Sequence, residues 1–311
     1  CRRPMERVAA PLRRTGAEIA TAPGGTLPAT VRGLCPAVPR TTRLEIASAQ
    51  VKSALLLAGL NTPGVTRVIE AVPTRDHSER MLKLFGADIA VEGGEIVIRG
   101  EAELQPQRLS VPGDPSAAAF LVVAATIVPG SEVRIENVGV NPYRTGLFAV
   151  LKEMGADLDF ENERELSGEP VADIVARHSA LRAVEVPPEH VTAMIDEFPI
   201  FFVAAAFAEG TSLARGLAEL RVKESDRIAA MAAGLGAIGV AVEESEDGLA
   251  VRGSGGAPVA GGATVEAQLD HRIAMSFAVA GLHARAPIGI DDFSAAATSF
   301  PDFADTLRSL S

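Results

Sequence analysis

The sequence has few of the residues on which nucleic-acid-binding proteins depend. It contains no Trp and a single Tyr, so it lacks the aromatic side chains on which single-stranded nucleic acids stack. Its net charge of −11 argues against a nucleic-acid surface or an anionic-membrane surface, because both attract an excess of Lys and Arg. We therefore expect neither partner, and an anionic small ligand would need a local cluster of cations.

Cysteine, membrane-length hydrophobic runs and metal-binding spacings are also scarce. Cys1 and Cys35 form no CxxC pair, which suits a reducing, cytoplasmic compartment. The longest apolar runs, such as Ala117–Ala125 and Ile200–Ala208, fall well short of the roughly 18 residues of a membrane span and predict buried elements. The five His are scattered without HxH or HExxH spacing, and no GxGxxG, Walker or nucleophile-elbow motif occurs. We expect no metal site.

A repeat runs through the chain and indicates two domains. Four helix-period segments, PLRRTGAEI, MLKLFGADI, VLKEMGADL and MAAGLGAIGV, each contain a glycine before a strand-like run. These glycines are Gly16, Gly86, Gly155 and Gly236, and we expect each to end a helix in the left-handed region. Three apolar helices with polar starts lie between these glycines and a fourth follows Gly236, and each is followed by a strand-like run. The predicted unit is strand–helix–strand–helix–strand–strand.

The repeat is incomplete at both ends of the chain. The sequence begins with Cys1 inside a trailing half-unit, and it stops at LRSLS, where the next marker glycine is due. An unpaired half-unit exposes apolar faces and strand edges. We therefore expect this chain to be a piece of a longer protein.

Polar residues open the apolar helices. They are Ser48-Ala49-Gln50, Asp114-Pro115-Ser116, Asp196-Glu197 and Asp270-His271-Arg272. Ser and Asp at such positions usually cap the helix, and taken alone Asp196 fits this role as well as Asp114 does. Arg272 is unusual because a cation in the first turn opposes the helix dipole. His271 beside it is interpreted as a structural histidine.

Residues 220–231 read LRVKESDRIAAM and carry a dense run of charge. As a helix, this stretch places Lys223 and Arg227 on one face, where like charges cost roughly 0.2–0.5 kcal/mol. One interpretation is a solvated helix face with a Glu224–Arg227 ion pair. The alternative is that an anion lies between the two cations. Arg75, which opens another predicted helix, has a similar pair of interpretations: an ion pair with Asp76 or Glu79, or a grip on an anionic ligand.

Seven segments together resemble the 3-phosphoshikimate 1-carboxyvinyltransferase (EPSP synthase) family, in its class II bacterial form. They are SAQVKSALLLAGLNTPG, TRDHSERML, VPGDPSAAAFLVVAA, NPYRTG, MIDEFPI, LRVKESDRI and LDHRIAMSF, and the resemblance covers essentially all 311 residues. It implies an α/β (α+β) fold of two domains, each of three βαβαββ units, and a monomer without metal or organic cofactor. It also implies transfer of the enolpyruvyl group of phosphoenolpyruvate to the 5-hydroxyl of shikimate 3-phosphate.

The resemblance assigns candidate site residues by their position in these segments. Ser48, Ala49 and Gln50 match the surroundings of the shikimate 3-phosphate, and Arg75 matches a further contact to it. The other matches lie around phosphoenolpyruvate and the reacting atoms: Arg3, Arg227 and Arg272 as its arginines, Asp196 near the attacking 5-hydroxyl, Lys223 as a substrate-binding lysine and Glu224 as the group that handles the proton at the methylene carbon.

The chain departs from the family pattern at its N-terminal side. No PGDKSxSHR and no GNAG(T) segment occurs, and Pro115 stands where VPGDPSAAAF would need the lysine of the first motif. We expect about a quarter of the protein to be missing, and turnover by this chain alone to be absent or impaired. The expected domains are residues 1–108 and 109–311, joined near 105–112, with the active site in the cleft between them.

Two rival functions stay open at this point. UDP-N-acetylglucosamine enolpyruvyl transferase shares the fold and uses a loop cysteine as its acid. Cys35 is the candidate for that role, but we interpret it as a small buried residue. The other rival is a non-catalytic fragment that binds substrate without turnover.

Overall fold

The fold is taken from a computed structural model, which describes residues 4–310. The chain divides into two compact units. The first comprises Cys1–Val111 together with Glu165–Glu169, and the second comprises Pro112–Arg164 together with Pro170–Ser311.

Helices and strands alternate along the chain in the order that the repeat predicts. Within residues 4–310 the α-helices are α1 (Glu6–Arg13), α2 (Ala49–Leu60), α3 (His77–Leu84), α4 (Pro115–Ile127), α5 (Gly146–Glu153), α6 (Pro188–Val191), α7 (Phe198–Phe207), α8 (Arg227–Ala237), α9 (His271–Gly281) and α10 (Phe303–Ser309). Short 3-10 helices cover Thr192–Met194, Ala218–Val222 and Ser294–Thr298. The strands are β1 (Glu18–Ala22), β2 (Thr26–Arg32), β3 (Thr41–Arg43), β4 (Val65–Ile69), β5 (Asp88–Glu92), β6 (Glu95–Arg99), β7 (Glu132–Gly139), β8 (Asp157–Leu166), β9 (Glu169–Arg177), β10 (Thr211–Ala214), β11 (Ala241–Ser245), β12 (Gly248–Arg252), β13 (Thr264–Val265) and β14 (Gly289–Ile290).

The first unit is built on a four-stranded sheet in the order β3-β4-β6-β5. β3 runs parallel to β4, as a strand–helix–strand crossover requires, and the other pairs are antiparallel. Leu55 and Leu56 of α2 join Val68, Ile96 and Ile98 of the sheet in one buried core. The hairpin of β1 and β2 forms a separate two-stranded sheet.

The second unit repeats this strand order. Its sheets run β7-β9-β8 and β10-β12-β11, which is the order of β4-β6-β5 in the first unit. The leading parallel strand of each repeat is reduced to single bridges, Gly113 to Val138 and Glu185 to Leu213, and it forms a short ladder again between β13 and β14. The predicted strand–helix–strand–helix–strand–strand plan and the mixed α/β class are therefore confirmed.

Three of the four marker glycines are confirmed as helix ends, and one is wrong. Gly16, Gly86 and Gly155 have φ of 99°, 87° and 93°, and the next strand begins two residues after each. Gly236 instead lies inside α8. The helix ends at Gly239, with φ of 87°, and β11 begins two residues later at Ala241. The reason is length: α8 has 11 residues, whereas α3 and α5 have 8.

The core of the second unit contains α4, α7 and α9 as packed neighbours. Every residue of α7 is buried, as are all but one of α4, so both helices are apolar on all sides. The prediction that the runs Ala117–Ala125 and Ile200–Ala208 form buried elements is confirmed. Among residues 4–310, no helix is both long enough and apolar enough to cross a membrane.

Candidate active site

The charged stretch 220–231 is not one helix. A 3-10 helix ends at Val222, Lys223 has a non-helical backbone with φ −79° and ψ −148°, and α8 begins at Arg227. Asp226 caps α8 by accepting a hydrogen bond from the Ala229 amide at 3.1 Å. The prediction that Lys223 and Arg227 share a helical face is therefore wrong, because the cap at Asp226 starts a new helix between them.

Arg227 is the centre of the charged cluster in the second unit. Its side chain is 1% exposed, and a buried guanidinium needs well-placed partners to offset its lost hydration. Nε donates to Asp270 Oδ2 at 2.8 Å, Nη2 to Glu224 Oε2 at 2.7 Å, and Nη1 to Asp196 Oδ1 at 3.4 Å. One arginine thus fixes three carboxylates from three separate segments.

Asp196 joins the two cations of the stretch. Lys223 Nζ and Arg227 Nη1 each lie 3.4 Å from Asp196 Oδ1. The anion between the two cations is, in this structure, a side chain of the protein itself. The prediction that Asp196 caps the following helix is wrong: the residue before Phe198, where α7 starts, is Glu197, and the Asp196 carboxylate is instead directed to the cations.

The electrostatics of the cluster keep its central pair charged. Burial opposes the charge of Asp270, but the Arg227 guanidinium outweighs it and lowers the pKa of that carboxyl. Burial likewise opposes the charge of Arg227, whose pKa is nevertheless raised by Asp270. His271, by contrast, is disfavoured in its charged form, since burial and, to a smaller extent, the neighbouring Arg272 lower its pKa. The cluster is therefore an ion network beside a histidine that favours its neutral form.

Arg272 extends the cluster at the start of α9. Asp270 caps this helix by accepting from the Arg272 amide at 3.0 Å. The Arg272 Nη1 atom donates to the Asp196 carbonyl at 3.0 Å and to Glu197 Oε1 at 3.3 Å. Its Nε and Nη2 atoms have no hydrogen-bond or ion-pair partner among residues 4–310, so these donors can meet a ligand.

A chain of hydrogen bonds connects Arg272 to the start of α4. Ser116 Oγ donates to Glu197 Oε1 at 2.5 Å, and Arg144 Nη2 donates to Ser116 Oγ at 2.8 Å. Asp114 caps α4 with Pro115 in the first helical position, which confirms the capping prediction there. The starts of α4, α7, α8 and α9 are thus linked, and their own carboxylates face the partial positive charge of the helix ends.

The candidates in the first unit lie at the starts of α2 and α3. Ser48 caps α2 by accepting from the Val51 amide at 3.4 Å, as predicted, and Ala49 and Gln50 form the first turn. Gln50 is exposed and Arg75 is half-buried. Arg75 lies two residues before α3 rather than in its first turn.

The two acidic neighbours considered for Arg75 each contact another cation. Asp76 accepts from Arg80 Nε at 2.9 Å, and Glu79 Oε1 lies 2.7 Å from the Nζ atom of Lys52. These contacts hold the residues that follow Arg75, because Asp76 is tied to Arg80 of α3 and Glu79 to Lys52 of α2.

Two further sequence predictions concern the N-terminal part. Arg3 lies outside the described residues. Cys35 is exposed, so the prediction that it is a small buried residue is wrong. It lies between β2 and β3, in a segment whose surrounding residues are also mostly exposed, and no core element covers it.

Comparisons with known proteins identify the family. A family model described as EPSP synthase (3-phosphoshikimate 1-carboxyvinyltransferase) matches residues 1–307. The chain belongs to the EPSP synthase family. It is 61% identical to the 3-phosphoshikimate 1-carboxyvinyltransferase of Sphingopyxis alaskensis over 317 residues, covering 99% of this chain and 71% of the relative. The corresponding protein of Zymomonas mobilis is 58% identical, with 99% and 70% covered.

A solved structure supports the same family. EPSP synthase from Acinetobacter baumannii superposes with a TM-score of 0.89 at 48% identity, and the match covers 99% of this chain and 71% of that one. The fold class predicted from the sequence is confirmed by this match and by the strand order described above.

Sequence reasoning named most of the cations around this site but missed the groups that orient them. Asp270 was noticed only as a helix start, and Glu197 only as a neighbour of Asp196. Glu197 lies within the family segment MIDEFPI, and Asp270 lies within LDHRIAMSF. For Asp270 the signal is its position two residues before Arg272, since a first-turn arginine needs an anion to offset the helix dipole. Glu197 has no arginine within ten residues of it in the sequence, so no such signal marks it.

The cluster pairs its acids with cations and does not gather them as metal ligands. Within residues 4–310, no group of three or more His, Cys, Asp or Glu side chains is placed to hold a metal ion. The arrangement is suited to binding anions and to moving protons at carboxylates.

Proposed function

We propose that the chain carries out the EPSP synthase reaction of the shikimate pathway. The 5-oxygen of shikimate 3-phosphate bonds to C2 of phosphoenolpyruvate, and the C2–O bond to phosphate then breaks, giving 5-enolpyruvylshikimate 3-phosphate and inorganic phosphate. The observation that carries this proposal is a network in which Lys223 and Arg227 pair with the Asp196 carboxylate, Arg227 also pairs with Glu224, and Arg272 donates to the Asp196 backbone carbonyl. Its chemistry suits two anionic substrates and a proton transfer.

The cations have different tasks in this proposal. Arg272 presents Nε and Nη2 to the carboxylate or phosphate of phosphoenolpyruvate, and Lys223 contributes ammonium donors beyond its one contact to Asp196. Arg227, which is saturated with internal carboxylates, acts mainly by holding Glu224 and Asp196 in place while adding positive charge. Arg3 is the third arginine proposed for this substrate. Positioning two charged substrates against their mutual repulsion can contribute several kcal/mol.

The two carboxylates carry the protons. Asp196 takes the proton of the 5-hydroxyl as its oxygen attacks C2, and Glu224 delivers a proton to C3, the methylene carbon. The resulting tetrahedral intermediate loses phosphate as Glu224 takes a proton back from C3, and the proton held by Asp196 passes to the departing phosphate or to solvent, so both carboxylates are regenerated. Such transfers contribute about 10²–10⁴ in rate.

Shikimate 3-phosphate is proposed to contact the first unit. The capped start of α2 offers backbone N–H groups and a partial positive charge, which favour a phosphate. Ser48, Ala49 and Gln50 line this helix start, and Arg75 adds a guanidinium. A cytoplasmic location and a monomeric state stay predictions.

The test measures phosphate release with both substrates by the purified chain, alone and completed by a separate polypeptide that carries the PGDKSxSHR and GNAG(T) motifs. Glu224→Gln should lower turnover by about 10²–10⁴ and leave the dissociation constants of both substrates within a few-fold, because the amide keeps the shape but cannot deliver the proton. Glu246→Gln, in the exposed turn between β11 and β12, is the matched control and should behave as wild type. Wild-type turnover in Glu224→Gln would exclude its acid role.

Further assay arms separate the rival functions. One arm adds a separate polypeptide carrying the PGDKSxSHR and GNAG(T) motifs, and turnover only in its presence would mean that these segments complete the site. Another arm replaces the acceptor by UDP-N-acetylglucosamine. Phosphate release only with that acceptor would favour the rival transferase activity, for which the exposed Cys35 of this chain is the candidate acid. Binding of shikimate 3-phosphate without turnover in any arm would support a non-catalytic fragment.

A further inference from the structure

Lys52 is a fully buried lysine next to the proposed phosphate-binding helix start. Its side chain is 1% exposed, which is rare for lysine unless the ammonium is fully paired. Nζ lies 3.0 Å from Glu70 Oε2 and 2.7 Å from Glu79 Oε1, and it donates to the Thr74 carbonyl at 3.2 Å. All three donors of the ammonium are therefore used.

These contacts join the two segments that carry the proposed phosphate ligands. Lys52 lies one helical turn after Ser48, and its amide donates to the Ser48 carbonyl at 3.1 Å. Thr74, whose backbone carbonyl accepts the hydrogen bond from the ammonium, directly precedes Arg75 in the chain. The Lys52 side chain thus spans from the first turns of α2 to the residue before Arg75.

Other contacts tighten the same junction. Thr74 Oγ1 donates to Glu70 Oε1. Glu70 therefore contacts both the Lys52 ammonium and Thr74, the residue whose carbonyl accepts from that ammonium. The hydroxyls of Ser53 on α2 and Ser78 on α3 lie 2.6 Å apart. The relative placement of the α2 start and the Arg75 segment is therefore set by polar contacts with defined geometry.

Stability alone does not account for this cluster. A buried ion network is usually no more stabilising than apolar side chains of the same volume, because desolvation offsets the attraction. Here two carboxylates share one ammonium, and Glu79 Oε2 has no hydrogen-bond partner within residues 4–310. Burial raises the pKa of Glu79, which agrees with a costly arrangement. What the cluster supplies, and an apolar core would not, is a fixed distance and direction.

We propose that Lys52 is a positioning residue. It holds the start of α2 at Ser48 and the Arg75 segment at the spacing at which both can bind the phosphate of one shikimate 3-phosphate molecule. This inference rests on the proposed function. Lys52 would not touch the substrate. It would act through Thr74 on one side and through α2 on the other.

The test compares shikimate 3-phosphate affinity in charge-balanced variants by titration calorimetry. Lys52→Met/Glu70→Gln/Glu79→Gln removes all three charges and leaves no unpaired buried ion. We expect its dissociation constant to rise on the order of 10- to 100-fold, as is typical when ligating groups shift by about 1 Å. Thermal unfolding checks that the variant is folded at the assay temperature. Lys83→Met, at an exposed lysine of α3, should bind as wild type.

A double-mutant cycle distinguishes positioning from general stabilisation. Arg75→Ala should weaken binding in the wild-type background and have a smaller effect in the triple variant, since a displaced Arg75 has less to lose. Additive effects would overturn the inference. Glu70→Gln keeps the ammonium and its contact with Glu79, and it serves if the triple variant fails to fold. It should weaken binding several-fold, and unchanged affinity would overturn the inference.

The outcome also separates this inference from the proposed function. A wild-type chain that binds shikimate 3-phosphate, with folded variants that bind it equally well, leaves the function standing and refutes the role of Lys52. A wild-type chain that does not bind shikimate 3-phosphate refutes the proposed substrate, and the inference with it.

Discussion

Arg227 and Asp270 show how much of the candidate site is built before any ligand arrives. The guanidinium and the carboxylate are both almost fully buried, and Ser225 Oγ and the Arg272 amide also donate to Asp270. Such a pair contributes little net stability compared with apolar side chains. Removing one partner is nevertheless costly, because the other charge then stays buried with neither its counterion nor water around it. Its value is that it fixes the starts of α8 and α9 together.

We therefore predict a large effect for Asp270→Asn. The substitution leaves Arg227 with only Glu224 and Asp196 and should destabilise the fold by about 3 kcal/mol. Urea unfolding followed by circular dichroism measures this. The matched control is Asp305→Asn, whose partner Arg308 lies with it on the exposed surface of α10, and it should change stability little. Equal effects of the two substitutions would contradict the prediction.

His271 predicts a pH dependence of stability. Burial and Arg272 lower its pKa in the folded protein below the ordinary value of 6.5, so the unfolded chain binds a proton more readily. His271 does not reduce the free energy of unfolding above about pH 6.5, because it is neutral in both states there. As the pH falls from 6.5 toward the pKa of the folded state, the unfolded chain takes up the proton first and the free energy of unfolding decreases. Replacing His271 by Gln should reduce that loss between pH 7 and pH 5 in unfolding titrations.

The comparison for this pH effect is His178→Gln, at an exposed histidine outside the cluster. It should leave the slope of unfolding free energy against pH close to that of the wild type. If unfolding free energy changes with pH equally in His271→Gln, His178→Gln and the wild type, then His271 does not supply the effect.

At the scale of single residues, the sequence predicted cations better than the acids that fix them. Arg272 is recognisable because a cation in the first turn of a helix is unfavourable without an anion. Asp270 and Glu197 looked like ordinary helix-start acids, since a cap and an ion-pair partner use the same residue types. Lys52 carried no signal at all, because its partners Glu70 and Glu79 lie 18 and 27 residues away and only the fold brings them together.

At the scale of elements, the repeat keeps the distance between helix end and strand while the helix length changes. The strand begins two residues after the positive-φ glycine in all four repeats, although α8 is one turn longer than α3 and α5. Gly236 occupies the position at which an eight-residue helix would end. Periodicity located the helices correctly, but it could not show that this one continues past its first available glycine.

The two glycines of this helix end give a sharp prediction. Gly236→Ala should stabilise the protein by about 0.5–1 kcal/mol, because the position is helical and an added Cβ meets nothing within 4 Å. Gly239→Ala should destabilise it by about 1–2 kcal/mol, because φ is 87°. Its Cβ would also lie 2.9 Å from that of Ala260. Thermal melts of the two variants should shift in opposite directions, and shifts of the same sign would refute the assignment.

The capping errors have a related cause. Asp114 and Ser48 cap their helices as predicted, but Asp196 does not, because Lys223 and Arg227 draw its carboxylate away from the helix. All three are polar residues just before an apolar helix. The competing cations come from a segment 27 to 31 residues further along the chain, so only tertiary structure decides between cap and ion pair.

At the scale of the whole molecule, burial differs strongly between elements along the chain. α4 and α7 are buried along nearly their whole length, whereas six of the seven residues of β2 are exposed. Regions with few buried apolar contacts open at lower free energy. Hydrogen–deuterium exchange should therefore be slowest in α4 and α7 and fastest in the β1–β2 hairpin. Equal protection of β2 and α7 would contradict this expectation.

Under the proposed function, the internal pairing of Lys223 with Asp196 makes substrate binding an exchange of counterions. An arriving phosphoenolpyruvate does not neutralise a bare ammonium but takes over Lys223 donors that a tethered carboxylate already occupies in part. The displaced Asp196 is then left close to the acceptor hydroxyl with fewer cations to satisfy it, and so becomes more basic. Occupancy of the anion position would in this way prepare the base for its step, linking substrate capture to the timing of proton removal.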